Sequence, residues 1–144
     1  MEVIQNFLDK KTFRDIRNVV MGMNDYRHEV AWYFNNTVAH SNDQNKHFYF
    51  THTLYDSDAP RSDHFDTLLV PILEKLEVKS LIRGKINLYP GTDDLIYHAP
   101  HKDYRYSHKG CIFSINTCNG FTCIGDKKIP SIENQALLFD PNLE

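Results

Sequence analysis

Hydrophobic residues recur along this chain with two different periods. After Asp9, the residues Phe13, Ile16, Val20 and Met23 fall at helical spacing, which predicts an amphipathic helix over residues 10–22 with the aspartate as its N-cap. Val3 and Ile4 form a short apolar start before it. The segment "HEVAWYFNNTVAHSNDQNKHFYFTHTLYD" is rich in aromatic and β-branched residues with polar interruptions, the composition of strands joined by loops. Trp32, Tyr33 and Phe34 within it read as core aromatics. A second helix follows, with Phe65, Leu68, Leu69, Ile72, Leu73 and Leu76 on one face and Pro71 kinking or dividing it.

From Leu81 the period drops to two. In "LIRGKINLY", Ile82, Ile86 and Leu88 share one face while Arg83, Lys85, Asn87 and Tyr89 share the other. Pro90-Gly91 breaks that strand. "CIFSIN" and "FTCI" follow, and Asn119-Gly120 between them signals a hairpin because both residues tolerate positive φ. Gly125-Asp126 signals a second hairpin into "KKIPSI", and "QALLF" makes a last strand. Helices first and antiparallel strands afterwards give an α+β, mainly β chain, with a sandwich or barrel in its second half.

Composition narrows this reading without redirecting it. The 144 residues suit one domain, with 1–80 as helical and strand support and 81–144 as the β core. A formal charge of −3 gives no basic footprint for nucleic acid. No secretory leader or membrane-length apolar run appears, so a cytoplasmic location is expected. Cys111, Cys118 and Cys123 are odd in number and lack CxxC spacing, which argues against a disulfide framework and predicts buried thiols in a reducing compartment.

The chemistry concentrates in "YHAPHKDYRYSH". In extended backbone His101 and Asp103 point the same way, with Lys102 turned aside. An imidazole and a carboxylate on one side are two members of a 2-His-1-carboxylate set for non-haem Fe(II). A zinc site from His98, His101, Asp103 and His108 is the weaker alternative, because a spacing of three sends His98 to the opposite side from His101. Asp93-Asp94 and "YRYSHK" read as solvated loops.

With the strand before it, this stretch resembles a known signature. "KINLYPGTDDLIYHAPHKD" is similar to Fe(II)/2-oxoglutarate-dependent oxygenases of the prolyl-hydroxylase and alkylation-repair type, where a strand carrying Asn and Tyr precedes HxD. The following strands, with their glycine-containing turn and "N-x-x-x-x-F" pattern, resemble the same family, as do "VIQNFLDKKTFRDI" and "VAWYF" in its small phage-type members. The resemblance implies a double-stranded β-helix, or jelly roll, with the N-terminal helices packed on it. It implies His101 and Asp103 as iron ligands and Tyr89 as a donor to 2-oxoglutarate. Asn87 becomes the polar neighbour of that donor, and Ser114 a further cofactor contact. The implied activity is hydroxylation of a peptide side chain or small molecule, with "TDDLIYHAP" and the aromatic segment as loops at the barrel mouth.

The family also carries a second histidine soon after the phenylalanine of "QALLF", and further on a basic residue for the far carboxylate of 2-oxoglutarate. The sequence stops at "LLFDPNLE". The expectation is a fragment of a longer enzyme, lacking the last jelly-roll strands, weak in cofactor binding and open at sheet edges that invite pairing with another copy. A substitute third ligand would come from His98, His108, His40, His47, His52 or His64. A non-catalytic jelly-roll module that binds a ligand or protein is the alternative reading.

Overall fold

The computed structural model describes residues 1–23, 30–38 and 48–140. It is an α+β fold dominated by short antiparallel strands, and no closed barrel forms among the described residues. No helix among them is long and apolar enough to cross a membrane. The chain gathers into two compact units, Met1–Asn18 with Lys102–Glu144, and Val19–His101.

The first unit joins distant parts of the sequence. Strand β1 (Glu2–Ile4) pairs antiparallel with β9 (Gln135–Phe139), and β9 pairs on its other edge with β6 (Gly110–Ser114). The row Ile4–Ala136–Phe113 crosses this sheet, and Ala136 at its centre is fully buried. Helix α1 (Lys10–Val20) supplies Phe13 and Ile16 to the core. The Phe113 ring meets Phe7 at 5.8 Å and Phe13 edge-on at 6.1 Å, an arrangement that the negative face and positive edge of aromatic rings favour. The helix begins where the apolar spacing predicts. Asp9 Oδ1 accepts the backbone N–H groups of Lys11 at 3.0 Å and Thr12 at 3.1 Å, two donors with no partner inside the helix.

One buried side chain ties these pieces together. Asn134 Oδ1 accepts the Leu8 N–H at 2.9 Å, and its Nδ2 donates to the Leu8 carbonyl at 2.8 Å. Its backbone carbonyl accepts from Phe7 N at 2.9 Å, and its own N–H donates to the Ser114 carbonyl at 2.9 Å. The residue sits at φ 57, a left-handed conformation that asparagine tolerates better than most residues.

A hairpin of β7 (Phe121–Ile124) and β8 (Lys127–Pro130) completes the unit, with Gly125 at φ 56 in its turn. This is the second of the two expected hairpins. The first does not form: β6 takes β9 as its partner, and Asn119-Gly120 instead extends the β7–β8 ladder, with Cys118 N and Gly120 O both bonded to Ser131. A five-residue register with β9 outweighs a local turn preference. The three cysteines are exposed, contrary to the expected burial, since the inward positions go to residues such as Phe7 and Leu137. Packing around the Cys111 sulfur nonetheless pushes its thiol up to about 11, which keeps it protonated at neutral pH.

The second unit is built on β3 (Tyr49–Asp56). Strands β2 (Tyr33–Asn35) and β4 (Ala59–Pro60) pair with the two ends of one edge, and β5 (Gly84–Leu88) runs along the other. Ser57 and Asp58 connect β3 to β4 with φ of 51 and 57, the paired positive values that match a two-residue turn to strand twist. His52 and Leu54 of β3 face inward. A five-residue π-helical turn, Phe65–Leu69, runs into helix α2 (Val70–Lys75), and the Val70 N–H reaches back to the Phe65 carbonyl. Pro71 at the start of α2 has no N–H to offer the preceding turn, so the expected division of the helix falls there. Leu68 is the one buried residue of its apolar face within these two elements. Tyr33 and Phe34 are 63% and 62% exposed rather than buried, and Trp32 is half-buried. They lie on and beside a three-residue strand paired along one edge, too short to sandwich them.

Two tests follow. Asn134→Ala should cost about 3 kcal/mol in urea unfolding, from two buried hydrogen bonds and the left-handed backbone. A loss below about 1 kcal/mol would show that Leu8 does not depend on the amide. Hydrogen bonds from Thr12, first from its side chain, hold the Asp9 carboxyl below its ordinary value. That stabilisation is present above the unfolded-state carboxyl range and is lost as pH falls through the lowered folded value. Asp9→Ala should therefore lower the melting temperature at neutral pH, with the difference from wild type closing in acid. A pH-independent gap in circular-dichroism melts would refute the assignment.

Candidate metal and cofactor site

The alternation read from "GKINLY" holds in β5 only in part: Lys85 and Asn87 are exposed on one face and Ile86 is half-buried opposite His52, but Leu88 and Ile82, expected on the apolar face, are exposed. Asn87 lies across from Thr51, whose hydroxyl lies within hydrogen-bonding distance of both the Ile86 carbonyl, at 3.1 Å, and Asn87 Oδ1, at 3.3 Å. Tyr89, just past the strand and half exposed, stacks on Tyr49 at 5.4 Å with the rings 17° apart. His98 covers the same tyrosine, also at 5.4 Å between centroids. The result is a shelf of hydroxyl, amide and aromatic groups on one sheet face.

Thr51 and Tyr49 are the contributors that sequence reasoning missed, and His98, weighed there as a metal ligand, packs on Tyr89 instead. The signal for the first two was present, because Tyr49, Thr51, Thr53 and Tyr55 alternate with Phe50, His52 and Leu54 in "YFTHTLYD". What the sequence does not reveal is the register that sets Thr51 against Asn87.

Beyond Pro90 the chain runs without helix or strand to Lys109. Thr92 Oγ1 donates to the Asp94 carbonyl at 2.7 Å, and Asp93 and Asp94 are exposed, as a solvated loop requires. His101 is exposed, and its Nδ1 lies 3.2 Å from the Ala99 carbonyl. A carbonyl only accepts, so in the neutral ring this contact favours the proton on Nδ1. Metal-ligating histidines commonly have one nitrogen fixed in this way by a backbone carbonyl. His108 has the same local geometry, with Nδ1 2.8 Å from the Tyr106 carbonyl and its ring against Tyr104 and Tyr106.

The expected residues divide between the two units. Asn87, Tyr89 and His101 belong to Val19–His101, and Asp103 and Ser114 to the other. Asp103 is exposed, and Ser114 is partly buried on β6, where its carbonyl accepts from Asn134. Of the substitute ligands, His52 has both ring nitrogens engaged, by the Ala31 carbonyl and by Ser62 Oγ, each at 2.7 Å. His64 packs edge-on against it. His40 and His47 lie outside the described residues. Among the described residues no group of three or more His, Cys, Asp or Glu side chains is set to hold a metal. An imidazole and a carboxylate are donor types that Fe(II) accepts, and His101 and Asp103 would offer two of them.

Comparison of the chain with protein-family models, curated proteins and solved structures gave no match.

The His101 assignment is directly measurable. Nitrogen-15 NMR above the imidazole titration should show Nδ1 protonated and Nε2 as the pyridine-type nitrogen. A dominant Nε2–H form would refute this assignment.

Proposed function

We propose that the chain carries part of the metal- and cofactor-binding region of an Fe(II)/2-oxoglutarate-dependent oxygenase acting on a peptide side chain or small molecule, without that class's second histidine and basic residue. Its strands would correspond to part of a double-stranded β-helix. The resemblance of "KINLYPGTDDLIYHAPHKD" to that class is the sequence argument. The observation that carries it in the structure is the Ala99 carbonyl on His101, which supports Nε2 as a metal donor.

In this reading His101 and Asp103 would hold the iron, and Asn87 and Tyr89 would bind 2-oxoglutarate. Bound there, iron and 2-oxoglutarate supply the oxidising chemistry for C–H hydroxylation. The chain's own contribution is placement. The Tyr89 hydroxyl donates to a carboxylate of the acid, with the ring kept in position by Tyr49 and His98. The Asn87 amide, opposite Thr51 on the same sheet face, would offer a second donor.

A non-catalytic ligand-binding module is the second reading. It is supported by the aromatic surface of the same unit, where Tyr33, Phe34, Phe48 and Tyr89 are each between 44% and 63% exposed.

Anaerobic calorimetry with Fe(II), and NMR with Mn(II) as a paramagnetic substitute, test the oxygenase reading without turnover. Mn(II) should broaden signals of His101 and Asp103 first, and His101→Ala or Asp103→Ala should weaken metal binding at least about tenfold. Tyr89→Phe should weaken 2-oxoglutarate binding roughly tenfold, the worth of a hydrogen bond to a charged group. Uniform broadening, with no heat from 2-oxoglutarate in the presence of metal, would leave the binding-module reading in its place.

A further inference from the structure

We infer that Ser62 is a nucleophile activated by His52, a centre for acyl transfer from activated esters that uses no residue of the site proposed above. His52 is 93% buried as the inward residue of β3, a position normally given to an apolar side chain, as at Leu54 two residues on. Its ring is held by Tyr33 and His64, at centroid distances of 6.5 and 5.9 Å.

The hydrogen bonds define the proton positions. His52 Nδ1 lies 2.7 Å from the Ala31 carbonyl, which can only accept, so the neutral ring carries its proton on Nδ1. Nε2 is then an acceptor, and the Ser62 hydroxyl 2.7 Å away donates to it. Ser62 Oγ also accepts the His64 N–H at 3.0 Å. These are the relations of an activated serine: nucleophile on base at hydrogen-bond distance, and base oriented by a third group. A backbone carbonyl orients the imidazole here, in the place a carboxylate takes in Ser-His-Asp sites. Ser62 itself is partly exposed. The second lone pair of Oγ is left for attack.

The reaction balances with no added oxidant or reductant. Ser62 Oγ forms a bond to the ester carbonyl carbon while its proton passes to His52 Nε2. The carbon–oxygen bond to the alcohol breaks, and the alcohol departs with that proton. Water then attacks the acyl-serine by the same route, releasing the carboxylic acid and restoring the hydroxyl. A base and an orienting group suffice for esters with good leaving groups, and this sets the substrate class.

The competing role for Ser62 is to cap the turn at His64 and nothing more. To separate the two, the full chain is treated with a fluorophosphonate probe and with p-nitrophenyl acetate, native and in urea, and adducts are mapped by mass spectrometry. The expected result is modification concentrated on Ser62 in the native chain and lost on unfolding. Labelling should be absent in Ser62→Ala and at least about a hundredfold slower in His52→Gln, provided that variant keeps the wild-type circular-dichroism spectrum. Native Ser62 labelling no faster than that of other serines, or unchanged by urea, would overturn the proposal using the wild-type chain alone.

Discussion

The first unit depends on a peptide group satisfied by a side chain. Leu8 is buried between β1 and α1, where its N–H and carbonyl have no strand to pair with. An unpaired backbone group at such a place costs more than most single contacts contribute. The Asn134 amide mimics a strand edge, donor and acceptor side by side, and satisfies both groups. Much follows from that placement. Phe7 is bonded to the Asn134 carbonyl and meets Phe113, and Asp9 is delivered to the first turn of α1. The left-handed backbone at Asn134 also turns the chain into β9 at the point where Ser114 of β6 receives its N–H. Few residue types combine tolerance of that conformation with a bidentate amide.

Features governed by near neighbours were legible in the sequence. The spacing of Phe13 and Ile16, the capping oxygen of Asp9, the proline at α2 and the glycine at residue 125 each act within a few residues. The choice of β9 as partner for β6 does not, and the Asn119-Gly120 signal was overruled by pairing formed far along the chain. The exposure of Tyr33 and Phe34 was hidden for a related reason. Hydrophobic pattern marks what could be covered, and the length and neighbours of β2 decide whether it is. At the candidate site the shared face of Asn87 and Tyr89 could be read from alternation. The Thr51 contact needed the β3–β5 register, and the tautomer of His101 needed the position of a carbonyl.

His52 and His101 show how one chemical device serves different settings. Each lies against a backbone carbonyl through Nδ1, so in each the basic nitrogen is Nε2. His52 is enclosed and meets a serine hydroxyl, whereas His101 is exposed on an irregular segment. Burial and neighbours, not the tautomer, distinguish the proton transfer proposed for His52 from the metal ligation proposed for His101.

The pairing of β1 with β9 has a bearing on how the chain is made. Leu8 and the side chain that satisfies it are 126 residues apart, so the N-terminal segment emerges from the ribosome long before its partner exists. The Val19–His101 unit, by contrast, is contiguous and is synthesised between them. During translation that middle unit has all its partners available, while Phe7 and Phe13 stay unpartnered until residues 113 to 139 have cleared the exit tunnel. The order of synthesis therefore makes the contacts of the Val19–His101 unit available before those that join the two ends of the chain.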